Sequence, residues 1–346
     1  MANIVAIDLF CGAGGLTKGL ELAKIKVVAG IDIDKSCKYP YEANNKAMYI
    51  MKDVSKIDAN ELNTLYPKDS IKVLVGCAPC QPFSTYSNRY DMKRDDKWTL
   101  LYQFSRLIKE LSPDIVSMEN VPKLVHKEVF KSFVEELKRL KYKVSFRLVD
   151  CEDYGVPQSR KRLVLLASKF GDIELVKSTN MNRKVTVRDV IYKLPPIKAG
   201  QTDSYDLLHS SNNLSPLNLE RIKASKPGGT WRDWPESLRA NCHKKDSGLT
   251  YHAVYGRMCW DKPSPTITTQ CTGFGNGRFG HPTQNRAISL REAAMLQTFP
   301  QNYKFIDPNA EYIKSNISRM IGNAVPVRLG EIIGTSIRKH LRTYSK

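Results

Sequence analysis

Short apolar segments with strand character alternate with helical segments from residue 4 to residue 167, and this alternation constrains the fold more than any other feature. The strand-like segments are Ile4–Phe10, Val27–Ile33, Val73–Cys77, Ile115–Glu119, Val144–Val149 and Leu163–Ala167. The helix-like segments are Leu16–Ala23, Lys35–Lys46, Ala59–Leu65, Leu100–Glu110 and Val129–Leu140. Because strands separated by helices pair mainly in parallel, with helices on both faces, we predict an α/β, doubly wound, mainly parallel sheet.

The sequence changes character from about residue 180 to residue 285. Prolines, glycines and polar residues cluster there, as in Lys226-Pro227-Gly228-Gly229, and periodicity is weak. We predict a second, smaller and irregular domain, with Trp231 and Trp234 in its core. Helix-like sequence returns at Ser289–Gln297 and Arg328–Tyr344.

The charge balance is strongly basic, since Lys and Arg outnumber Asp and Glu by 54 to 35 and the formal net charge is +19. Such an excess is typical of proteins that neutralise phosphates, although a generally basic surface gives the same count. The N-terminus leads directly into the strand-like Ile4–Phe10 without a signal-peptide pattern, and no apolar segment reaches the ~18 residues that span a bilayer. We therefore expect a cytoplasmic protein without membrane contact.

The eight cysteines are scattered, and the one pair with Cys-x-x-Cys spacing is Cys77 and Cys80. In a cytoplasmic protein we expect no disulfide. A structural zinc site needs a second close pair or suitably spaced histidines, which Cys242, His243 and Cys259 do not supply. We predict no metal site.

A glycine-rich turn joins the first strand to the first helix, at Gly12-Ala13-Gly14-Gly15. Glycines in this position let the backbone approach a ligand and expose amide donors at the helix N-terminus. Asp32 ends the second strand, where a carboxylate can accept both ribose hydroxyls, and Asp53 is a further acid after a third short strand. The three features together predict a nucleoside-bearing cofactor. The Gly-x-Gly-x-x-Gly spacing of pyrophosphate binders is absent, which favours an adenosyl sulfonium over NAD.

Cys80 is the candidate nucleophile. It lies in Ala78-Pro79-Cys80-Gln81-Pro82, directly after a strand, where doubly wound sheets place their chemistry. A buried structural cysteine and a redox Cys-x-x-Cys pair are the alternatives. We expect Cys77 to lie inside the strand and to be packed, which disfavours the redox interpretation.

Three further residues are candidates for the same crevice. Glu119 ends the next strand, and Arg160 and Arg162 alternate at the start of a later one. Because side chains two residues apart in a strand point to one face, both arginines are predicted to enter one site. Solvated surface arginines are the alternative.

At this point the sequence resembles the DNA cytosine-5 methyltransferase family of the prokaryotic or phage restriction-modification type. Six blocks carry the resemblance, in the family's order and over nearly the whole chain: Asp8–Leu16, Pro79-Cys80-Gln81, Glu119-Asn120-Val121, Gln158-x-Arg160-x-Arg162, Arg291–Pro300 and Gly322–Pro326. The resemblance implies the S-adenosylmethionine-dependent methyltransferase fold, with a target-recognition domain at residues 181–300. It also implies that the C-terminal helix returns to the first domain, which would comprise residues 1–180 plus 301–346.

The resemblance implies a role for each catalytic candidate. The Cys80 thiolate would attack carbon 6 of cytosine, which activates carbon 5 to take the methyl group. Protonated Glu119 would hydrogen-bond ring nitrogen 3 and the exocyclic amine. Arg162 would hold the carbonyl oxygen at position 2, and Arg160 would support the thiolate or a nearby phosphate.

The target base lies inside the duplex stack, so the resemblance also implies base flipping. The resemblance assigns base flipping to the loop after Cys80. The candidate DNA contacts in this loop are Ser84, Tyr86, Ser87, Arg89 and Arg94. In the target-recognition domain, Arg257 and Arg278 are candidates for reading guanine.

The implied cofactor is S-adenosylmethionine, with S-adenosylhomocysteine as its product. Phe10 would lie against the adenine, Asp32 would bind the ribose, Asp53 the adenine amine, and Asn323 would lie near the methionine moiety. The other implied pocket residues are Gly12, Gly14, Gly15, Leu16, Ile33, Val54, Pro79 and Ala324. The family often has tryptophan where this chain has Ile33, so aliphatic packing would replace stacking on the adenine.

The implied substrate is a short specific site in double-stranded DNA. The alternative is a transfer RNA cytosine-5 methyltransferase of the same family, which the long segment at 181–300 disfavours. Two remoter alternatives are a catalytically inactive nucleic-acid-binding protein and a redox or NAD-dependent enzyme. We expect a monomer, with a cognate restriction endonuclease in the same system.

Overall fold

The computed structural model describes residues 3–79, 99–178, 183–248 and 250–344. The chain divides into two compact units. The first unit takes the described parts of Met1–Tyr154, Lys161–Thr179 and Val325–Lys346. The second unit takes the described parts of Gly155–Arg160 and Asn180–Ala324.

The first unit is built on a seven-stranded sheet in the order β3-β2-β1-β4-β5-β8-β6. Its strands are β1 Ile4–Leu9, β2 Lys26–Asp32, β3 Met48–Met51, β4 Ile71–Gly76, β5 Ile115–Asn120, β6 Lys143–Asp150 and β8 Lys161–Ser168. The pairs among β1 to β5 are parallel, whereas β8 is antiparallel to both β5 and β6. Every residue of β5 is buried, as expected for a central strand covered on both faces. The predicted doubly wound, mainly parallel sheet is confirmed.

Helices cover the sheet of the first unit. They are α1 Gly15–Leu22, α2 Lys38–Glu42, α3 Ala59–Thr64, α4 Thr99–Leu111, α5 Glu128–Arg139 and α10 Val327–Tyr344. The apolar faces of α4 and α5 meet over the sheet, where the ring centroids of Phe104 and Phe133 lie 5.7 Å apart. Burial of such side chains is the main favourable term in folding.

The C-terminal helix α10 packs directly against α1, as the resemblance implied. A Cβ atom on Gly19 would lie 2.3 Å from the carbonyl oxygen of Val327, and one on Gly330 would lie 2.9 Å from that of Leu16. Glycine at both positions therefore lets the two helix backbones touch. Helices α1 and α10 therefore belong to the same unit, although they are far apart in the sequence.

The second unit has short helices and many turns. Its helices are α6 Val187–Ile191, α7 Pro216–Ala224, α8 Leu290–Leu296 and α9 Lys314–Asn323, and its short strands are β7 Gln158–Ser159 and β9 Ser264–Pro265. Trp231 and Trp234 are 2% and 3% exposed and pack with Ile222 and Phe274, so the prediction that both tryptophans are core residues is confirmed.

The boundary between the units differs from the predicted one at residue 301. Residues up to Ala324 group with the second unit because the Gln297 amide donates to the Ile321 carbonyl and Ser318 donates to that of Thr269. Gly322 also lies so close to the backbone of Thr268 that a Cβ would clash at 2.3 Å. Helix α9 is therefore held by the second unit's own loops.

A buried ion pair stabilises the second unit. Arg286 donates to both carboxylate oxygens of Glu292, each at 2.7 Å, and both side chains are at most 1% exposed. Burial opposes the charged form of Glu292, but the Arg286 hydrogen bonds outweigh it and hold its pKa at about 2. Glu292 also completes a capping box with Ser289 at the start of α8. Sequence analysis missed this pair, although the Ser-x-x-Glu spacing signals the cap.

A membrane-spanning helix, long and apolar enough for a bilayer, is absent from the part of the chain that the structure describes.

Candidate active site

The turn between β1 and α1 has a strained backbone. Phe10, Gly12 and Gly14 have φ values of 59°, 51° and 89°, in the left-handed region that favours glycine. No atom of the described residues lies within 4 Å of a Cβ built on Gly12, so these residues leave space at this turn. A ligand can therefore approach the backbone here, while Leu16 on α1 is buried beneath.

Asp32 ties the end of β2 to this turn. Its Oδ2 accepts the Gly12 N–H at 2.9 Å and its Oδ1 accepts the Asp34 N–H at 3.0 Å. The adjacent Ile33 is 69% exposed, which is unusual for a large aliphatic side chain beside a buried strand. An acid and an open apolar surface thus lie side by side at the carboxyl end of β2.

The third strand adds a second acid. The Lys52 N–H donates to the Asp32 carbonyl at 3.1 Å, so the segment after β3 continues beside Asp32. Asp53 follows, and its Oδ1 accepts the Ser55 N–H at 2.9 Å, a bond that lowers the pKa of Asp53. Val54 is buried next to it. The ends of β1, β2 and β3 therefore bring together Phe10, Gly12, Asp32, Ile33 and Asp53.

Asp8 lies beneath the turn, a position that the sequence analysis did not single out. Its side chain is 1% exposed, its Oδ2 accepts the Thr17 hydroxyl at 2.7 Å, and its Oδ1 has no hydrogen-bond partner in the described ranges. Burial raises its pKa to about 7. The sequence signal was its place two residues before the turn on an otherwise apolar strand.

Glu119 lies at the neighbouring strand ends, near the end of β5, and its side chain is 2% exposed. Arg162 Nε is 2.8 Å from Glu119 Oε1. This ion pair lacks hydrogen-bond geometry, so Oε1 has no hydrogen-bond partner among the residues that the structure describes. The other oxygen, Oε2, lies 2.8 Å from the Cys77 Sγ, which donates to it.

Cys77 corrects one prediction. The structure ends β4 at Gly76, so Cys77 lies after the strand, and it is only partly buried. It faces Glu119 because β4 and β5 are paired with Gly76 beside Met118, which makes Cys77 and Glu119 the next residues along each strand. The expectation of a packed cysteine inside the strand was wrong, because the strand is one residue shorter than its apolar run.

Asn120 fixes the segment that leads to Cys80. Its amide donates to the Ala78 carbonyl at 3.0 Å, and its side-chain oxygen accepts the Val121 N–H at 2.8 Å. Asn120 is 2% exposed, so both bonds are sheltered from water. Pro79, the residue after Ala78, is exposed and is the last one described before the gap.

Arg160 and Arg162 have different partners, contrary to the prediction that both enter one site. Arg162 belongs to β8, but Arg160 lies between β7 and β8, so the alternation of a continuous strand does not apply. Arg160 is 3% exposed and donates within the second unit, to the carbonyls of Ile267 at 3.0 Å and Ala324 at 3.4 Å.

Arg257 also departs from its predicted role. It is 4% exposed, and every guanidinium nitrogen donates within the second unit, to the carbonyls of Ile222, Ser225, His281 and Gln284 and to the Asn285 side chain. A guanidinium so committed has no donor left for a guanine, so Arg257 is a structural residue. Arg278 is half-buried and donates through Nη1 to the Gly229 carbonyl.

The remaining predicted site residues divide into two groups. Asn323 ends α9 and is exposed, and Ala324 is half-buried beside it, both in the second unit. Cys80, Ser84, Tyr86, Ser87, Arg89 and Arg94 lie outside the described residues. In the described ranges, no group of three His, Cys, Asp or Glu side chains is arranged to hold a metal ion.

The chain was compared with protein-family models and with curated proteins. The family model described as C-5 cytosine-specific DNA methylase matches residues 4–339. Type II methylase M.HgiDII of Herpetosiphon aurantiacus is 55% identical over 339 residues, 97% of this chain and 95% of that protein. Type II methyltransferase M1.HphI of Haemophilus parahaemolyticus is 30% identical over 342 residues, 97% of this chain and 87% of the relative.

Solved structures share the fold. A crystal structure described as a DNA modification methyltransferase encoded within an E. coli prophage matches with a TM-score of 0.74 and 23% identity, covering 98% of this chain and 99% of the other. Dnmt2 methyltransferase of S. pombe matches with a TM-score of 0.66 and 17% identity, covering 99% of this chain and 100% of the other. Identities this low establish the architecture alone.

Proposed function

Since the chain belongs to the family of C-5 cytosine-specific DNA methylases, we propose that it transfers a methyl group from S-adenosylmethionine to carbon 5 of a flipped-out cytosine, through a covalent bond to Cys80. The observation that carries this proposal is the pair of Glu119 and Arg162, 2.8 Å apart, at the end of β5 beside the segment that leads to Cys80. A carboxyl and a guanidinium so placed match the polar edge of a cytosine.

The first unit's residues fit the adenosyl part of the cofactor. Open space at Gly12 admits a ligand to the backbone, Asp32 is held in place by two N–H donors, and Ile33 exposes an apolar face. Asp53 is available for the adenine amine, and Phe10 for the adenine ring. When bound, S-adenosylmethionine supplies an electrophilic methyl group on a sulfonium, with a neutral thioether as leaving group.

Cys80 would begin the reaction. Attack of its thiolate on carbon 6 forms a carbon–sulfur bond and moves the π pair of the ring through carbons 5 and 4 onto nitrogen 3. Glu119 would deliver a proton to nitrogen 3 and accept a hydrogen bond from the exocyclic amine, so that the new charge is neutralised as it forms. Arg162 would donate to the carbonyl oxygen at position 2.

The same residues would release the product. Once carbon 5 carries the methyl group, a base removes its hydrogen as a proton. The proton on nitrogen 3 returns to Glu119, the double bond between carbons 5 and 6 reforms, and the Cys80 thiolate leaves. Each residue therefore ends in its starting state, as turnover requires.

We propose double-stranded DNA as the substrate, because both relatives compared above are named type II enzymes and because the chain carries a large second unit. The second unit is the proposed target-recognition domain. Arg278 is a candidate for reading guanine. Ser84, Tyr86, Ser87, Arg89 and Arg94 are the proposed residues that flip and grip the target.

The proposed function implies a genetic partner and a place in the cell. A type II modification enzyme protects DNA against a cognate restriction endonuclease, which we propose as the genetic partner. The enzyme would act as a monomer in the cytoplasm, where its DNA substrate lies.

The test uses the full-length protein, S-adenosylmethionine labelled in the methyl group, plasmid DNA and bulk transfer RNA. We expect label in DNA alone, and bisulfite sequencing of plasmid from an expressing host should give protected cytosines at one short site. Label in transfer RNA but not in DNA would overturn the substrate assignment. Label in neither polymer would overturn the proposed activity.

A further inference from the structure

We propose that Cys77 is a positioning residue for Glu119, whose thiol holds one carboxylate oxygen so that the other meets the cytosine ring. The inference rests on the proposed function, because it assigns the orientation of the carboxyl that the proposed reaction uses. It also gives a role to the first cysteine of the Cys77-x-x-Cys80 pair, which the proposed chemistry leaves unused.

The position of Cys77 follows from the pairing of β4 and β5. Gly76 lies beside Met118 in the parallel register, so the chain places Cys77 and Glu119 at adjacent strand ends. The Cys77 Sγ lies 2.8 Å from Glu119 Oε2 and donates to it. Strand register, not loop geometry, therefore fixes this contact.

The two carboxylate oxygens of Glu119 have different surroundings. Oε2 accepts the Cys77 thiol, whereas Oε1 has Arg162 Nε at 2.8 Å and, from residues 3–79 and 99–344 as far as they are described, no hydrogen-bond donor. The nearby amide of Asn120 is committed to the Ala78 carbonyl and does not compete. Within the described ranges, Cys77 thus supplies the one hydrogen bond that the carboxyl receives, which leaves Oε1 for nitrogen 3.

A hydrogen bond that fixes the Glu119 carboxyl affects catalysis because the last side-chain torsion of glutamate varies easily. Rotation about the last bond of the side chain meets a broad, roughly two-fold potential, so packing alone orients the carboxyl plane poorly. Cytosine offers nitrogen 3 and the exocyclic amine in one plane, and a carboxyl out of that plane loses one of the two bonds. Misplacement of a catalytic group by about 1 Å can cost about 100-fold in rate.

A thiol is suited to this position. It is a weak, neutral donor, so it orients Oε2 without adding a second positive charge beside Arg162. A hydroxyl would keep the donor, whereas a methyl group would remove it. Serine at position 77 therefore keeps a donor, alanine removes the donor and the sulfur's volume together, and valine removes the donor while filling the space.

The experiment measures kcat and KM for target DNA with Cys77→Ser and Cys77→Ala in the full-length protein, with Cys151→Ala as a matched buried-cysteine control in the first unit. We expect Cys77→Ala to lower kcat about tenfold, with KM for DNA and the Kd of the cofactor within twofold of wild type. Cys77→Ser should restore kcat to within about threefold of wild type, and Cys151→Ala should leave it unchanged.

Two results would overturn the inference: kcat of Cys77→Ala within twofold of wild type, or Cys77→Ser as slow as Cys77→Ala. If Cys77→Ala does not fold, Cys77→Val, which fills the space without a donor, takes its place in the same comparison. A wild-type protein that methylates no DNA defeats the proposed function itself, whereas an active wild type with a normal Cys77→Ala defeats this inference alone.

Discussion

Glu119 and Arg162 form a short ion pair across two antiparallel strands, with Nε 2.8 Å from Oε1 and the carboxylate 2% exposed. Buried charges of this kind are costly unless they are paired, and in the described part of the chain no group donates a hydrogen bond to Oε1. An incompletely satisfied carboxyl at the end of a central strand is the pattern of a site that awaits a ligand.

Glu119→Gln should reduce methyl transfer strongly without unfolding the protein. Glutamine keeps the shape of the side chain but cannot pass a proton to nitrogen 3, so we expect kcat to fall about 100- to 10,000-fold. Labelled-methyl incorporation into target DNA gives the rate, and thermal unfolding checks the fold. Glu61→Gln, a change on an exposed helix surface, is the control. A kcat within tenfold of wild type would remove Glu119 from the proton path.

Ile33→Trp should tighten cofactor binding. Ile33 is 69% exposed beside Asp32, and an aromatic ring there would stack on adenine, which contributes about 0.5–1.5 kcal/mol beyond simple burial. We expect the Kd of S-adenosylhomocysteine, measured by calorimetry, to fall about 2- to 10-fold, and Ile33→Ala to raise it. If neither variant changes the Kd by twofold, Ile33 lies outside the pocket.

Asp8 should make the stability of the protein depend on pH. Burial raises its folded pKa to about 7, above the value of the unfolded chain, so its contribution to stability is present at low pH and is lost as pH rises through 7. Between pH 5.5 and 8, the free energy of unfolding of wild type should fall by about 2 kcal/mol relative to Asp8→Asn.

Urea unfolding at the two pH values measures this difference. The exposed Asp246, changed to asparagine, serves as the control and should track wild type. Parallel behaviour of wild type and Asp8→Asn would mean that Asp8 is not held neutral beneath the turn.

Substitutions of Arg257 and Arg278 should have different effects, the first on stability and the second on DNA binding. Arg257→Met leaves several buried carbonyls of the second unit without a donor, so we expect a loss of at least about 3 kcal/mol in the free energy of unfolding. Arg278→Met should cost about 1 kcal/mol or less and should instead weaken target binding with altered preference at one base. Equal destabilisation by both would contradict the distinction.

Much of the fold was predictable because its signals are local. Apolar runs bounded by turns identified six strands of the sheet, and the glycine turn located the start of α1. The strand β3, Met48–Met51, is short and has exposed ends, so sequence placed a third short strand before Asp53 but did not give its bounds. The predicted helix over Lys35–Lys46 is in fact a 3-10 turn at Lys35–Cys37 followed by the short α2.

Residues of the candidate site could be predicted only where they belong to a recognisable sequence motif. Glu119 and Arg162 came from motif and strand position. The bond from Cys77 depends on where β4 ends and on its register with β5, which no single segment encodes. The burial of Arg257 depends on carbonyls from residues 222 to 285, so its role could not be read from the residues around it.

The most direct test of the account is covalent trapping at Cys80. DNA carrying 5-fluorocytosine at the target position that bisulfite sequencing identifies is incubated with S-adenosylmethionine and either wild type or Cys80→Ser. Fluorine blocks proton loss at carbon 5, so wild type should form a denaturant-resistant complex with DNA and Cys80→Ser should form none. A wild type that methylates this site yet leaves no complex, or a Cys80→Ser protein that still forms one, would contradict the account.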